Sequence, residues 1–242
     1  SYFYALQASA EVNFTKIDGS LLHSQYHPNP HSSFKGTIVF QNGTGSSLEA
    51  WSTNQTFFEC IKQVGNLFLY DRSGLGKSSP DFSVSTANPI TAELVNSKLI
   101  QLLERNQIKS PYILVSHSYG GIYAGYFARK YPDSVAGMLM VDPVPSNFLY
   151  SDRIQKKFDV ALRAMGEIPS REAYKLYGVS RQSENNGITA DGFYQQKGFH
   201  KTKKQVAELP LMSNTFPIVI VSSTEMNDSA PIKGDWHALQ KQ

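Results

Sequence analysis

The residues with the clearest potential for chemistry are six consecutive ones, Ser116-His117-Ser118-Tyr119-Gly120-Gly121. They follow a short apolar run and precede a helical pattern, and small residues stand two positions before and two positions after Ser118. A strained turn between a strand and a helix needs small neighbours at these two positions, because the turn is crowded there. The pattern therefore predicts that Ser118 is an exposed nucleophile suited to acyl transfer.

Acyl transfer also requires hydrogen-bond donors for the oxyanion that forms on the attacked carbonyl. The Tyr119 N–H, at the start of the helix whose dipole points at the turn, is one candidate. The loop at residues 41–46 (QNGTGS) follows the first predicted parallel strand and offers a second candidate, the Thr44 N–H. Glycine-rich turns are common after strands, so this loop could also be a plain turn.

A serine hydroxyl needs a base to take its proton, and the base needs a carboxylate to orient it. Asp142 comes directly after the apolar run at residues 135–141, which should form a strand beside the one that leads to Ser118. Asp142 is therefore the favoured acid, although it could instead cap the segment that follows. Glu225 and Asp228, after the next predicted strand, are the alternative acids.

The sequence does not show which histidine would be the base. His237 follows Asp228 too closely for a helix, a strand and a loop to intervene, and is expected in a helix at residues 235–242. His23, His27 and His31 lie in the predicted N-terminal hairpin and its exit loop, and His200 lies in a later insertion. His117 is next to Ser118 in sequence but is expected to point away from its hydroxyl.

The elements that must position these residues alternate between strand and helix. A hairpin is predicted at residues 12–26, joined through Asp18-Gly19, a pair that favours a tight turn. Short apolar runs that predict parallel strands follow at residues 37–40, 66–70, 112–115, 135–141 and 218–221. Helical patterns lie between them at residues 48–64, 91–107 and 120–130. This alternation predicts an α/β fold with a doubly wound, mostly parallel sheet.

Composition limits the classes of function. The chain has 242 residues and a net charge of +3 without a dense basic run, so no nucleic-acid partner is expected. No apolar stretch approaches the roughly 20 residues that span a bilayer. The expected partner is a small molecule, and the oligomeric state is not predicted. The one cysteine, Cys60, is expected to be buried in a helix.

Three blocks of sequence carry a family resemblance. They read TIVFQNGTGSSLEAW, LFLYDRSGLGKSS and ILVSHSYGGIYAGYFARKYPDSVAGMLMVDPVP. Together they resemble the α/β-hydrolase superfamily in its esterase and lipase-like branches, with Ser116 and Asn42 standing where relatives usually have glycine and histidine. The resemblance implies a structural turn at Asp71 and Arg72, no cofactor or metal, and a further strand and catalytic histidine beyond Gln242.

The same resemblance divides the chain. Residues 11–142 and 211–242 would form the hydrolase core, and residues 143–210, rich in aromatics, would form an inserted helical cap over the site. Residues 1–10 end in Ala8-Ser9-Ala10, which fits the end of a signal peptide and predicts a periplasmic or secreted protein. An ordinary N-terminal extension of a cytoplasmic protein is the alternative.

The expected activity is hydrolysis of a carboxylic ester through a Ser-His-Asp mechanism and an acyl-enzyme. Carbon–carbon bond hydrolysis, perhydrolysis and a catalytically silent binding protein of the same fold are the alternatives. Dehalogenation and epoxide opening use an aspartate nucleophile in this fold, and Ser118 occupies that position.

Overall fold

A computed structural model of the protein describes residues 9–144, 156, 159–160, 190–213 and 215–222. Within this described part of the chain, seven strands form one mixed sheet in the order β1-β2-β4-β3-β5-β6-β7, which confirms the predicted fold class. The strands are β1 (Glu11–Ile17), β2 (Ser20–His27), β3 (Thr37–Gln41), β4 (Asn66–Tyr70), β5 (Tyr112–His117), β6 (Val135–Val141) and β7 (Ile218–Val221).

The first two strands form the predicted antiparallel hairpin. Asp18 and Gly19 both have positive φ, 45° and 84°, as the tight turn between twisted strands requires. Strand β2 pairs antiparallel with β4, and β3, β4, β5, β6 and β7 are parallel to one another.

The centre of the sheet carries the site. Every residue of β3 is buried, as expected for an apolar run covered on both faces. Gln41 at the end of β3 lies opposite Ser116 of β5, and His117 lies opposite Val141 of β6. The carboxyl ends of these three strands therefore meet at one edge, where the loops that follow them converge.

The described helices are α1 (Glu49–Ser52), α2 (Gln55–Val64), α3 (Ala92–Arg105), α4 (Gly120–Lys130), α5 (Ala190–Lys197) and α6 (Phe199–Ala207). The single helix predicted over residues 48–64 was wrong, because Asn54 interrupts it. Asn54 adopts an extended conformation, and its side chain accepts a hydrogen bond from Phe57 N–H, so a new helix starts there. None of the described helices is long and apolar enough to cross a membrane.

The prediction for Cys60 was also wrong, since Cys60 is exposed. Helix α2 buries Phe58 and half-buries Phe57 and Ile61. Cys60 is therefore turned away from the core despite its apolar neighbours in sequence, since a helix places only every third or fourth residue on one face.

Helices α5 and α6 belong to the segment predicted as a cap, yet they pack on the core. The side chain of Thr202 in α6 accepts a hydrogen bond from Ala92 N–H at the start of α3, at 3.2 Å. Gly198, between α5 and α6, lies so close to Ile90 that an added Cβ would be 1.9 Å from the Ile90 carbonyl oxygen. The boundaries of the predicted cap remain a prediction, because most of residues 145–189 lie outside the described residues, as do residues 1–8.

Candidate active site

The turn at Ser118 has the strained geometry that its sequence predicts. Ser118 has a φ of 52°, a left-handed value that non-glycine residues rarely adopt. A Cβ added to Gly120 would lie 2.4 Å from the Gln41 carbonyl oxygen, and one added to Gly121 would lie 3.0 Å from Pro143 Cβ. Gly120 is therefore required, because the backbone at the end of β3 and in the loop after it leaves no room for a side chain, and Gly121 is in tight contact with the loop after β6.

The loop after β3 lies directly against the serine. A Cβ added to Gly43 would lie 3.3 Å from Ser118 Cβ and 3.0 Å from His117 Nδ1. In the described part of the chain, neither the Thr44 N–H nor the Tyr119 N–H has a hydrogen-bond acceptor. The loop that carries Thr44 thus lies next to the serine, and the two predicted oxyanion donors are unsatisfied by described residues. Their role stays a prediction.

Backbone hydrogen bonds bring Asp142 next to the turn. Ser118 N–H donates to the Val141 carbonyl at 3.2 Å, and Val144 N–H donates to the Ser118 carbonyl at 3.1 Å. Asp142 N–H donates to the Val221 carbonyl at the end of β7, and Asp142 has a φ of 44°. Asp142 therefore lies between the turn and the last described strand. Its role as the acid stays a prediction, and the alternatives Glu225 and Asp228 lie outside the described residues.

None of the described histidines is hydrogen-bonded to Ser118. His23 is buried and its Nδ1 is 2.7 Å from Asp71 Oδ2, while His200 pairs with Asp159 on the surface. His117 is exposed and its ring lies edge-on to the Trp51 ring, with centroids 6.5 Å apart. His237 lies outside the described residues, so the base stays a prediction.

Arg72 binds two backbone carbonyl groups of the loop after β3. Its Nη1 donates to the Asn42 carbonyl at 2.7 Å and its Nη2 donates to the Gly43 carbonyl at 2.8 Å. Its charge is balanced by Asp191 of α5, at 3.0 Å, and both side chains are buried. Burial acts to lower the pKa of Arg72, but Asp191 outweighs it and the pKa is raised, so the guanidinium stays charged. The sequence suggested a loop-fixing role for Arg72 and missed Asp191 altogether.

Asp71 organises the turn that carries Arg72. It accepts hydrogen bonds from Leu48 N–H at 2.7 Å and Lys77 N–H at 3.0 Å, in addition to His23. Gly76, with φ of 50°, lies so close that an added Cβ would be 2.2 Å from Asp71 Oδ2. This block is a structural support for the site, as the resemblance implies.

A cavity of about 230 Å³ opens beside the turn. It is lined by Asn42, Gly43, Ser46, Ala50, Trp51 and His117. Among the described residues, no group of three or more His, Cys, Asp or Glu side chains could hold a metal ion.

A model of the alpha/beta hydrolase fold family matches residues 36–188, and the chain belongs to this family. It is similar to the uncharacterized protein YqjL of Bacillus subtilis (strain 168), with 27% identity over 223 residues that cover 92% of this chain and 74% of YqjL. The solved structure of Cfl2 from Burkholderia cenocepacia shares the fold, with a TM-score of 0.61 and 19% identity over 91% of this chain and 82% of that one. A mutant of the haloalkane dehalogenase DatA from Agrobacterium tumefaciens C58 has a TM-score of 0.61 and 18% identity, over 95% and 85% of the two chains.

Proposed function

We propose that the protein is a serine hydrolase that cleaves carboxylic esters of small molecules. The observation that carries the proposal is the position of Ser118 on a strained turn that lies against the loop after β3. The Tyr119 and Thr44 N–H groups, in this turn and this loop, have no acceptor among the described residues. Strain at a position that a functional group must occupy is characteristic of active sites. Two convergent backbone donors beside a hydroxyl fit the oxyanion of a tetrahedral intermediate.

The proposed reaction has two halves. In the first, Ser118 Oγ attacks the ester carbonyl carbon while an imidazole base, oriented by Asp142, takes the hydroxyl proton. The electron pair of the carbonyl bond moves to the oxygen, and the Thr44 and Tyr119 N–H groups bind the resulting oxyanion. The electron pair then re-forms the carbonyl bond, and the alcohol leaves with the proton from the imidazole. In the second half, water replaces the alcohol in the same sequence and releases the acid and Ser118.

The similarity to DatA concerns the fold alone, and Ser118 argues against carrying over its activity. Displacement of a halide requires a nucleophile that forms an ester with the substrate, which in this fold is a carboxylate. A serine with oxyanion donors instead favours attack on a carbonyl. Carbon–carbon hydrolysis and perhydrolysis begin at the same carbonyl centre, and a panel of aryl esters with increasing acyl length measures the acyl preference of the proposed ester cleavage.

We expect Ser118 to react with a fluorophosphonate probe in the full-length protein, and Ser118→Ala to lose both labelling and aryl-ester turnover. Ser116→Ala is the matched control, since the buried Ser116 hydroxyl has no hydrogen-bond partner among the described residues, and the variant should leave labelling unchanged. Mass spectrometry of the labelled peptide is the measurement. Labelling that survives Ser118→Ala would refute the proposed nucleophile, and an unlabelled, inactive wild type would favour a silent binding protein.

A further inference from the structure

Residues 42–45, here called the oxyanion loop, are held by helix α5 as well as by Arg72. We propose that Asp191 and Gln195 of α5, acting with Arg72, are positioning residues that fix the direction of the Thr44 N–H. The inference rests on the proposed ester hydrolysis and adds to it a part of the chain that the catalytic motifs do not include.

The first step concerns the peptide between Gly43 and Thr44. The carbonyl of one residue and the N–H of the next lie in one plane and, in a trans peptide, point in opposite directions. Arg72 Nη2 donates to the Gly43 carbonyl at 2.8 Å. A donor fixed on that carbonyl therefore also fixes the Thr44 N–H, directing it away from Arg72.

The second step concerns what holds Arg72 in place. Its Nε and Nη2 donate to the two oxygens of Asp191, at 3.3 and 3.0 Å. The same carboxylate accepts a hydrogen bond from Gly45 N–H at 3.2 Å. The residues on either side of Thr44 are thus tied to one buried ion pair, and a bidentate pair restricts rotation as well as position.

The third step concerns the Thr44 side chain. Gln195 Nε2 donates to Thr44 Oγ1 at 2.7 Å, and Gln195 Oε1 accepts from the Tyr123 hydroxyl at 3.1 Å. Tyr123 is buried in α4, the helix that starts at the serine turn. Gln195 therefore links the loop that carries one oxyanion donor to the helix that carries the other.

These contacts make α5 part of the frame of the site. Oxyanion donors are effective because they are aimed before the reaction begins, and a loop that can tilt loses that advantage. Arg72, Asp191 and Gln195 bind the residues on both sides of Thr44 and the Thr44 side chain itself, so loss of one of these partners should widen the range of directions that the Thr44 N–H samples.

The test uses Thr44→Val and Gln195→Met, which both remove the bond between Gln195 and Thr44 but keep the Thr44 backbone N–H. Gln195→Met also removes the bond from the Tyr123 hydroxyl. Thr44 is exposed, so its replacement should not unfold the protein. We expect each variant to lower kcat for an aryl ester by about 10-fold with KM little changed, a fraction of the roughly 10²–10³-fold lost when an oxyanion donor is removed outright. The double variant should lose no more than Gln195→Met alone, because the Gln195–Thr44 contact is already absent in that variant. Thr44→Ser, which keeps the hydroxyl, should stay within about twofold of the wild type.

A thionoester substrate separates positioning from general damage, because N–H groups bond strongly to a developing oxyanion and weakly to sulfur. Turnover of the thionoester should change little in Thr44→Val and Gln195→Met, so the ester-to-thionoester ratio of kcat/KM falls. Asp191→Asn should lower the ester-to-thionoester ratio of kcat/KM in the same way. If Asp191→Asn fails to fold, the Thr44 and Gln195 variants alone test the positioning role.

Equal losses for ester and thionoester, additive losses in the double variant, or an unchanged kcat in Thr44→Val would each overturn the positioning role. Ester turnover that is abolished by Ser118→Ala but unaffected by Thr44→Val refutes the positioning role alone. Ester turnover that survives Ser118→Ala refutes the proposed function itself.

Discussion

Two residues at the centre of the site have backbones in the left-handed region, Ser118 with φ of 52° and Asp142 with φ of 44°. A side chain in this region costs about 1–2 kcal/mol relative to an ordinary conformation, although aspartate tolerates it better than most. Both residues follow parallel strands and both are bonded through their backbones to neighbouring strands or loops. The surrounding sheet thus stabilises two strained residues side by side, as expected where their direction serves a function.

At the residue scale, we expect Asp142→Asn to lower ester kcat in the full-length protein by up to about 10⁴-fold, the loss in the serine-protease triad that serves as the general template. The amide can donate its N–H to the imidazole and carries no charge to stabilise the imidazolium, so the base is held in the wrong tautomer. Glu225→Gln and Asp228→Asn are the matched variants at the alternative positions and should have small effects. The reverse ranking in steady-state kinetics would move the acid to the segment after β7.

The sequence predicted Ser118 because the constraint on its neighbours is local: two glycines and a preceding strand are visible within ten residues. The position of Asp142 beside the turn was predictable because it follows a recognisable strand, while its role as the acid stays a prediction. Asp191 was not, because its partner Arg72 lies 119 residues away and no local pattern distinguishes it from a surface aspartate in a helix. A long-range ion pair leaves no signal in a single sequence.

At the element scale, helix α4 has two kinds of glycine. Gly120 contacts the backbone of the loop after β3, whereas a Cβ added to Gly125 would have one neighbour, Met212, at 3.9 Å. The first glycine is required by close approach and the second is only tolerated within a helix. The same residue type thus serves the site at one position and weakens the helix at the other.

We expect Gly120→Ala to destabilise the protein by about 1–3 kcal/mol, because backbone oxygens at 2.4 and 2.7 Å cannot move aside cheaply. It should also lower ester turnover, since it displaces the residues that precede the Thr44 N–H. Gly125→Ala is the matched control and should stabilise α4 by about 0.5–1 kcal/mol. Urea unfolding measures both, and equal stability of the two variants would contradict the close-packing argument.

Strand positions were the easiest elements to predict, since buried parallel strands are short runs of apolar residues. The ends of helices were harder to predict, because a single polar side chain that caps the backbone can determine where a helix begins. The side chain of Thr91 accepts from Leu94 N–H and starts α3 near the predicted position, but that of Asn54 starts a new helix inside a continuous amphipathic pattern. Asparagine is acceptable on a helix surface, so only the structure reveals that it acts as a cap.

At the scale of the whole molecule, a buried ion pair joins helix α3 to the loops at the edge of the core. Lys98 Nζ donates to Asp81, and also to Ser73 at 3.1 Å and Ser20 at 3.2 Å. Burial acts to raise the pKa of Asp81, but hydrogen bonds from Lys98 and Ser83 outweigh it and leave the pKa below its ordinary value of 3.8. The pair therefore stabilises the fold where Asp81 is ionised.

We expect Asp81→Asn to lower the free energy of unfolding at pH 7 by about 3 kcal/mol, because it leaves Lys98 buried without a counter-charge. A carboxyl whose pKa is lowered by folding contributes stability above its unfolded pKa and loses it as pH falls through the folded value. The Tm gap between wild type and variant should therefore be constant from pH 7 to about pH 5 and narrow below about pH 4. Glu208→Gln, which breaks the exposed pair with Lys204, should change stability by less than about 0.5 kcal/mol. A gap that widens on acidification would contradict this account.

The ties that hold the oxyanion loop also have a consequence in time. Gly45 and Thr44 are separated from Asp191 and Gln195 by 146 and 151 residues. A ribosome that adds about 5–20 residues per second delivers Gln195 roughly 8 to 30 seconds after Thr44. Contacts between such distant positions are slow to form even in a complete chain. A nascent chain can therefore present Ser118 before the Thr44 N–H is held in place, and we expect the proposed ester cleavage to reach its full rate only after α5 has docked.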